Sequence, residues 1–143
     1  MIEELTNYIA ANASPTFTVG TDLFALAVDS DRIDECVIIA APAPGLVDGT
    51  LPDFRQIPLV AYSRAKTRFT ARDNAYRVFN LLHGKIQSSK IRVGTQVSLT
   101  AIGSGPVYVC NFVCSTPNYV GLDESGRRFV FSMPIDVTVT NML

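Results

Sequence analysis

The chain has 143 residues, room for one domain with a substantial core and too little for two. Its 12 Lys and Arg nearly cancel 13 Asp and Glu, leaving a formal charge of -1, so no global field draws it to polyanions and sequence-specific DNA binding is argued against. Hydrophobic residues make up 48% and charged residues 17%, below the roughly 25% of ordinary soluble domains, and this apolar surplus points to buried interfaces.

Acidic residues stand in the opening MIEELTNYIAA where a secretory leader would place basic ones, and no apolar run approaches a membrane span. The chain is therefore expected to fold in a cytoplasm. Ile2, Leu5 and Ile9 recur at helical spacing, and Ser14-Pro15 ends the pattern, which predicts a short amphipathic helix. Two Val/Ile/Leu/Ala-rich runs follow, 22-DLFALAVDSD-31 and 35-ECVIIAAPA-43, parted by an Asp/Ser/Arg turn. Near-continuous apolarity in the second predicts a strand covered on both faces.

From Pro42 to Pro58, Pro and Gly punctuate a segment without periodicity, which predicts a long loop. Its Leu46, Val47, Leu51 and Phe54 have no periodic path into a core, so Leu51 and Phe54 are candidate interface residues. In 57-IPLVAYSRAKTRF-69 the spacing predicts a strand with Ile57, Leu59, Ala61 and Ala65 on one face, while Arg64, Lys66 and Arg68 extend the face of Val60 and Tyr62. A helix is predicted next. Thr70 is its expected N-cap, Ala75, Val78, Phe79 and Leu82 form its apolar stripe, and Gly84 stops it. The runs 95-TQVSLTAI-102 and 107-VYVCNFVC-114 flank a Gly103-Ser104-Gly105-Pro106 turn. A terminal hairpin then turns at Asp123-Glu124-Ser125-Gly126. Its second strand alternates: Phe129, Phe131, Met133, Ile135, Val137 and Val139 face a core, and Arg128, Ser132, Asp136 and Thr138 face water or a partner.

Catalytic equipment is sparse. His83 is the sole histidine and sits where it would cap a helix end; no G-x-S-x-G elbow occurs, and Gly103-Ser104-Gly105-Pro106 lacks the Lys-Ser/Thr of a phosphate loop. Cys110 and Cys114 lie about 13 Å apart along one strand, too far for one ion or one disulfide, so all three cysteines are read as reduced packing residues. No catalytic, metal or cofactor residue is assigned. The basic group Arg64, Lys66, Arg68 and Arg72 shows no interleaved aromatics in sequence, which favours a solvated face or subunit salt bridges over a grip on nucleic acid.

Two stretches resemble a known family. In 57-IPLVAYSRAKTRFTARDNAYRVFNLLHG-84 a strand enters an Arg and leads to a helix with an A-Y-x-V-x-x-L-L face. In 117-PNYVGLDESGRRFVFSMPIDVTV-139 the pattern P-x-Y-x-G-x-D-x-x-G-R precedes a terminal strand. Together these are similar to the tail terminator or minor capsid proteins of long-tailed bacteriophages, over about the last two-thirds of the chain. The resemblance implies a single α+β domain, with a mixed, largely antiparallel sheet and two helices on one face. It implies a non-enzymatic virion protein assembled in the bacterial host cytoplasm and located at the head-tail junction. There it would form a six-membered ring that caps the tail tube, ends its polymerisation and joins the head. Its partners would be further copies of itself, the tail tube protein and the head-tail connector protein, with neither membrane nor sequence-specific nucleic acid.

In a head-to-tail ring the hairpin would meet the neighbouring subunit, with Arg127 and Arg128 in interface ion pairs, or else these arginines guard a strand edge. Arg64, Lys66 and Arg68 complete the candidate interface. Ser132-Met133-Pro134 stands where the family often carries an Asn-aromatic pair, and Pro134, which cannot donate to a ladder, is expected at an edge or a bulge. Two alternatives remain: a head-side completion or connector protein, and a small thiol-dependent hydrolase using Cys110 or Cys114 with His83.

Overall fold

The computed structural model describes residues 2–26, 33–41, 46–47, 54–83, 95–100 and 107–142; at 46–47, 54–55, 95–100, 107–109 and 140–142 it describes the backbone alone. Helix α1 (Ile2–Asn12) buries Leu5 and Ile9 as their spacing requires. Strands β1 (Leu23–Ala25) and β2 (Cys36–Ala40) pair in parallel, Leu23 against Val37. Strand β3 (Leu46–Val47) and strand β4 (Phe54–Ala65) follow, then helix α2 (Arg68–Leu82) and strands β5 (Thr95–Thr100), β6 (Val107–Cys114), β7 (Asn118–Leu122) and β8 (Phe129–Met142). The sheet runs β1-β2-β4-β8-β6-β5, with β3 added to β4 and β7 added to β8, and every pairing except β1–β2 among these strands is antiparallel. The expected α+β class, with a mixed, largely antiparallel sheet, is what forms.

Alternation along β4 and β8 decides where the core lies. Leu59 and Ala61 of β4 and Met133, Ile135, Val137 and Val139 of β8 project to one side. There they form one cluster with Leu5 and Ile9 of α1, and Val78 and Leu82 of α2. Both helices therefore cover the same face. Side chains of opposite parity, among them Ile38, Val60, Tyr62 and Val113, point to the other face and stay half-buried or exposed. Strand β2 is thus tightly covered along its Val37 and Ile39 side, while on the other side Cys36 is buried and Ile38 and Ala40 are half-buried. A run of small and branched residues cannot report whether a second layer exists.

Three boundaries differ from the sequence expectation. Strand β4 begins at Phe54, and Leu46 and Val47 pair with it, so part of the expected loop is strand; the rest of that expectation, at 42–45 and 48–53 with Leu51, lies outside the described residues. Helix α2 begins three residues early: Thr67, in extended conformation, is the N-cap, and its hydroxyl oxygen accepts from the Thr70 N–H at 3.2 Å. Arg68 is consequently helical. Its helix buries Ala71, Asn74, Ala75, Val78 and Leu82 and leaves Phe79 only partly buried, while Gly84 lies outside the described residues.

Pro134 is not at an edge, since β8 lies between β4 and β6. Its carbonyl accepts from the Ser115 N–H at 3.0 Å, at the break where β6 ends and β7 has not begun. Because N–H and C=O of one strand residue point the same way, the donor that proline lacks would have faced that break. Pro58 is placed similarly, opposite Asp136 on β8 and between Val60, which pairs with β2, and Gln56, which pairs with β3. Gly121, at φ 135°, supplies the backbone needed where the β7–β8 register shifts.

Candidate functional site

Sheet register assembles a row of charges at the root of the terminal hairpin. One step beyond the pairs Ala65–Phe129 and Leu122–Phe129, Lys66 and Asp123 come to flank Arg128; two steps beyond Cys36–Arg64, Asp34 comes beside Lys66. Arg128 Nε donates to Asp34 Oδ1 at 2.9 Å and its Nη1 to Asp123 Oδ2 at 3.2 Å, while Lys66 Nζ lies 3.1 Å from Asp34 Oδ2. The hydrogen bond from Arg128, then that from Lys66, holds the Asp34 carboxyl below its ordinary value. Ser125 donates to Asp123 Oδ1 at 2.6 Å, and this bond is the main reason that the Asp123 carboxyl is also held low, with Arg128 adding to it. The Asp34 bond in turn raises the Arg128 guanidinium.

This corrects the placement of Arg128, expected on the water-facing side of its strand. Its side chain is 3% exposed and paired to two carboxylates of its own chain, one of them 94 positions away in sequence. The same network takes up other candidates. Lys66 is paired, and Arg64 Nη2 donates to the Ile33 carbonyl at 2.7 Å. Arg127, by contrast, is exposed and has no carboxylate partner among the described residues. Arg64, Asp123, Glu124, Ser125, Arg127 and Arg128 line a cleft of about 390 Å³ there.

A second cluster forms where α2 starts beside β7. The Arg68 guanidinium lies 5.9 Å from the centre of the Tyr119 ring, and that of Arg72 5.3 Å from the centre of Phe69. Tyr119 in turn meets Phe131 at 5.4 Å and Phe129 at 6.2 Å between ring centres. Phe69 is 64% exposed, Leu122 54% and Tyr119 42%. The expectation that no aromatic interleaves with this basic group is therefore corrected: Phe69 stands between Arg68 and Arg72 in the sequence, and the fold adds Tyr119. Nothing near Arg68 in the chain announces Tyr119, because the β7–β8 pairing delivers it; Phe69 was adjacent but read as the end of a strand.

The groups considered for chemistry are held in packing. His83 caps α2 with its N–H on the Phe79 carbonyl at 2.9 Å, stacks on Phe79 at 5.0 Å, and through Nδ1 accepts from the backbone N–H of Cys114 at 3.0 Å. Its ring therefore addresses the Cys114 backbone. Burial pushes the Cys110 thiol to about 11 and, with the Asp136 charge adding to it, the Cys114 thiol to about 12, and burial also raises Cys36. All three are free, buried thiols. Among the described residues no group of His, Cys, Asp or Glu is arranged to hold a metal ion, and no helix is long and apolar enough to cross a membrane. Phe54 lies in β4 with only its backbone described, and Leu51 lies outside the described residues.

Compared with known proteins, the chain matches no protein-family model and no curated protein sequence.

Proposed function

We propose that this protein is a structural virion subunit that forms a closed ring on the end of a phage tail tube, stops tube growth and presents the surface to which the head joins. The observation that carries this reading is the terminal hairpin. While β4 and β8 bury Leu59, Ala61, Phe131, Met133, Ile135, Val137 and Val139 on their helix side, four of the five residues of β7 are exposed, and Tyr119, Val120 and Leu122 are among them. Exposed apolar side chains on a strand that pairs with β8 alone among the described strands suit a contact completed by another subunit. Their position within the stretch that resembles the terminator family supports the same reading. The mechanism is geometric. One ring face matches the last tube ring and the other the connector, so that further tube subunits find no template.

The test uses the purified chain and the tube protein of the same phage. Negative-stain images of the chain at high concentration should show uniform rings. Added to polymerising tube protein, the chain should arrest growth and narrow the length distribution. Unaltered tube growth with no ring at any concentration overturns the reading. Rings that bind heads yet leave tube length unchanged favour the connector alternative.

A further inference from the structure

Two unpartnered surfaces lie on opposite faces of the sheet. On the helix side, Arg68 and Arg72 are layered on Tyr119 and Phe69, with Leu122 exposed beside Phe129, its partner across the pair. Arginine and aromatic side chains in one exposed cluster are the composition of energetically dominant contacts. The cluster is also positively charged beyond what the described residues cancel. Helix α2 has no acidic residue in its first turn, Arg68 has no carboxylate partner among the described residues, and Arg72 meets only the exposed Asp73 at 3.5 Å. On the other side of the sheet neither of the two described helices packs. Ile38, Val60, Tyr62, Pro134 and Val113 form a half-exposed apolar field, and within it the exposed Asp136 has no basic partner among the described residues.

We infer that these surfaces are the two halves of one subunit contact: the Arg68–Arg72–Phe69–Tyr119 cluster of one copy sits on the bare sheet face around Asp136 of the next. Both halves are apolar with a charged element, and the charges are opposite. Since they lie on opposite faces of the same molecule, the contact is head-to-tail, and a closing rotation makes a ring. The aliphatic members Leu122, Ile38 and Val60 suit a protein partner, and the acidic half around Asp136 finds its complement on a second copy and would repel a nucleic-acid strand. This inference rests on the ring reading and adds the residues of its interface. It also moves that interface away from Arg64, Lys66 and Arg128, whose polar groups bond within the chain.

The test is a charge exchange read by sedimentation velocity over a range of concentrations. One variant carries Arg68→Glu with Arg72→Glu, and the other carries Asp136→Arg; circular dichroism verifies that both fold. Alone, each should need at least about tenfold more protein than the natural chain to assemble, because like charges then face each other across every contact. Mixed in equal amounts they should assemble again in alternation, since each altered half meets its complement. Variants that assemble alone like the natural chain overturn the pairing and leave the ring reading standing. Variants that fail alone and are not rescued by mixing also overturn it. If the natural chain itself never assembles, the ring reading falls and takes this contact with it.

Discussion

Replacing His83 by Ala is expected to cost about 2 kcal/mol of stability, and the figure can be built from two contacts. Removing Nδ1 leaves the Cys114 N–H without its acceptor, worth about 1–3 kcal/mol when a buried donor is orphaned. Losing the stack on Phe79, at 5.0 Å and 19° between planes, takes a further 0.5–1.5 kcal/mol or so. The capping N–H to the Phe79 carbonyl belongs to the backbone and survives. Because His83 is only half-buried, water reaches part of the vacated space, which holds the total near the lower part of the summed range, about 2 kcal/mol. A chain of this size should then melt about 5–10 °C lower. Urea unfolding measures the loss directly, and His83→Asn separates its parts, since an amide oxygen can accept the Cys114 N–H but cannot stack as imidazole does. If His83→Ala loses less than about 0.5 kcal/mol, or if Asn is no better than Ala, the tie between α2 and β6 is not what the histidine provides.

Arg127→Glu should leave the melting temperature nearly unchanged, whereas Arg128→Glu, which turns a carboxylate toward Asp34 and Asp123, should lower it clearly; equal effects in thermal melts would refute the buried placement of Arg128. Asp34 and Asp123 titrate lower in the fold than in the unfolded chain, so their stabilisation is complete above the ordinary carboxylate value near 4 and is lost as pH falls through the lowered ones. Melts below about pH 4 should show this loss, and Arg128→Met should reduce it. Iodoacetamide at neutral pH should modify Cys110 and Cys114 only slowly until denaturant is added, and rapid selective labelling of either would revive the thiol-hydrolase alternative.

Much of the fold was legible because the strongest patterns are periodic and local. Alternation from Phe129 to Val139 puts Phe131, Met133, Ile135, Val137 and Val139 inside, and the helical spacing of Val78 and Leu82 puts both into the same core. Legibility ended where a local signal had two readings. Thr67 and Thr70 are both competent caps, and which one starts the helix depends on where β4 ends. Proline marks a broken ladder, yet Pro58 and Pro134 each lie on interior strands because their partner strands are interrupted beside them, a condition visible only once strand order is known. The parallel pairing of β1 with β2 is of the same kind, since nothing in two short apolar runs states their relative direction.

The candidate site was legible by residue and not by role. Arg64, Lys66, Arg68, Arg127 and Arg128 read in sequence as one basic population, and the fold divides it by strand register. Positions that fall in the row of Asp34 and Asp123, or against the Ile33 carbonyl, bond within the chain. Arg68, at the start of α2, and Arg127, at the hairpin tip, have no carboxylate partner for their side chains among the described residues. Asp34, two residues before β2, is brought by the β2–β4–β8 register to an arginine that 94 positions of sequence separate from it. The division has a functional consequence that composition could not supply. With Arg128 buried, and Lys66 and Arg64 bonded to groups of their own chain, the positive charge left for partners among the described residues is concentrated on Arg68, Arg72 and Arg127. Two of these are already layered on exposed aromatic rings, so the groups left for docking form a compact cluster rather than a diffuse basic edge.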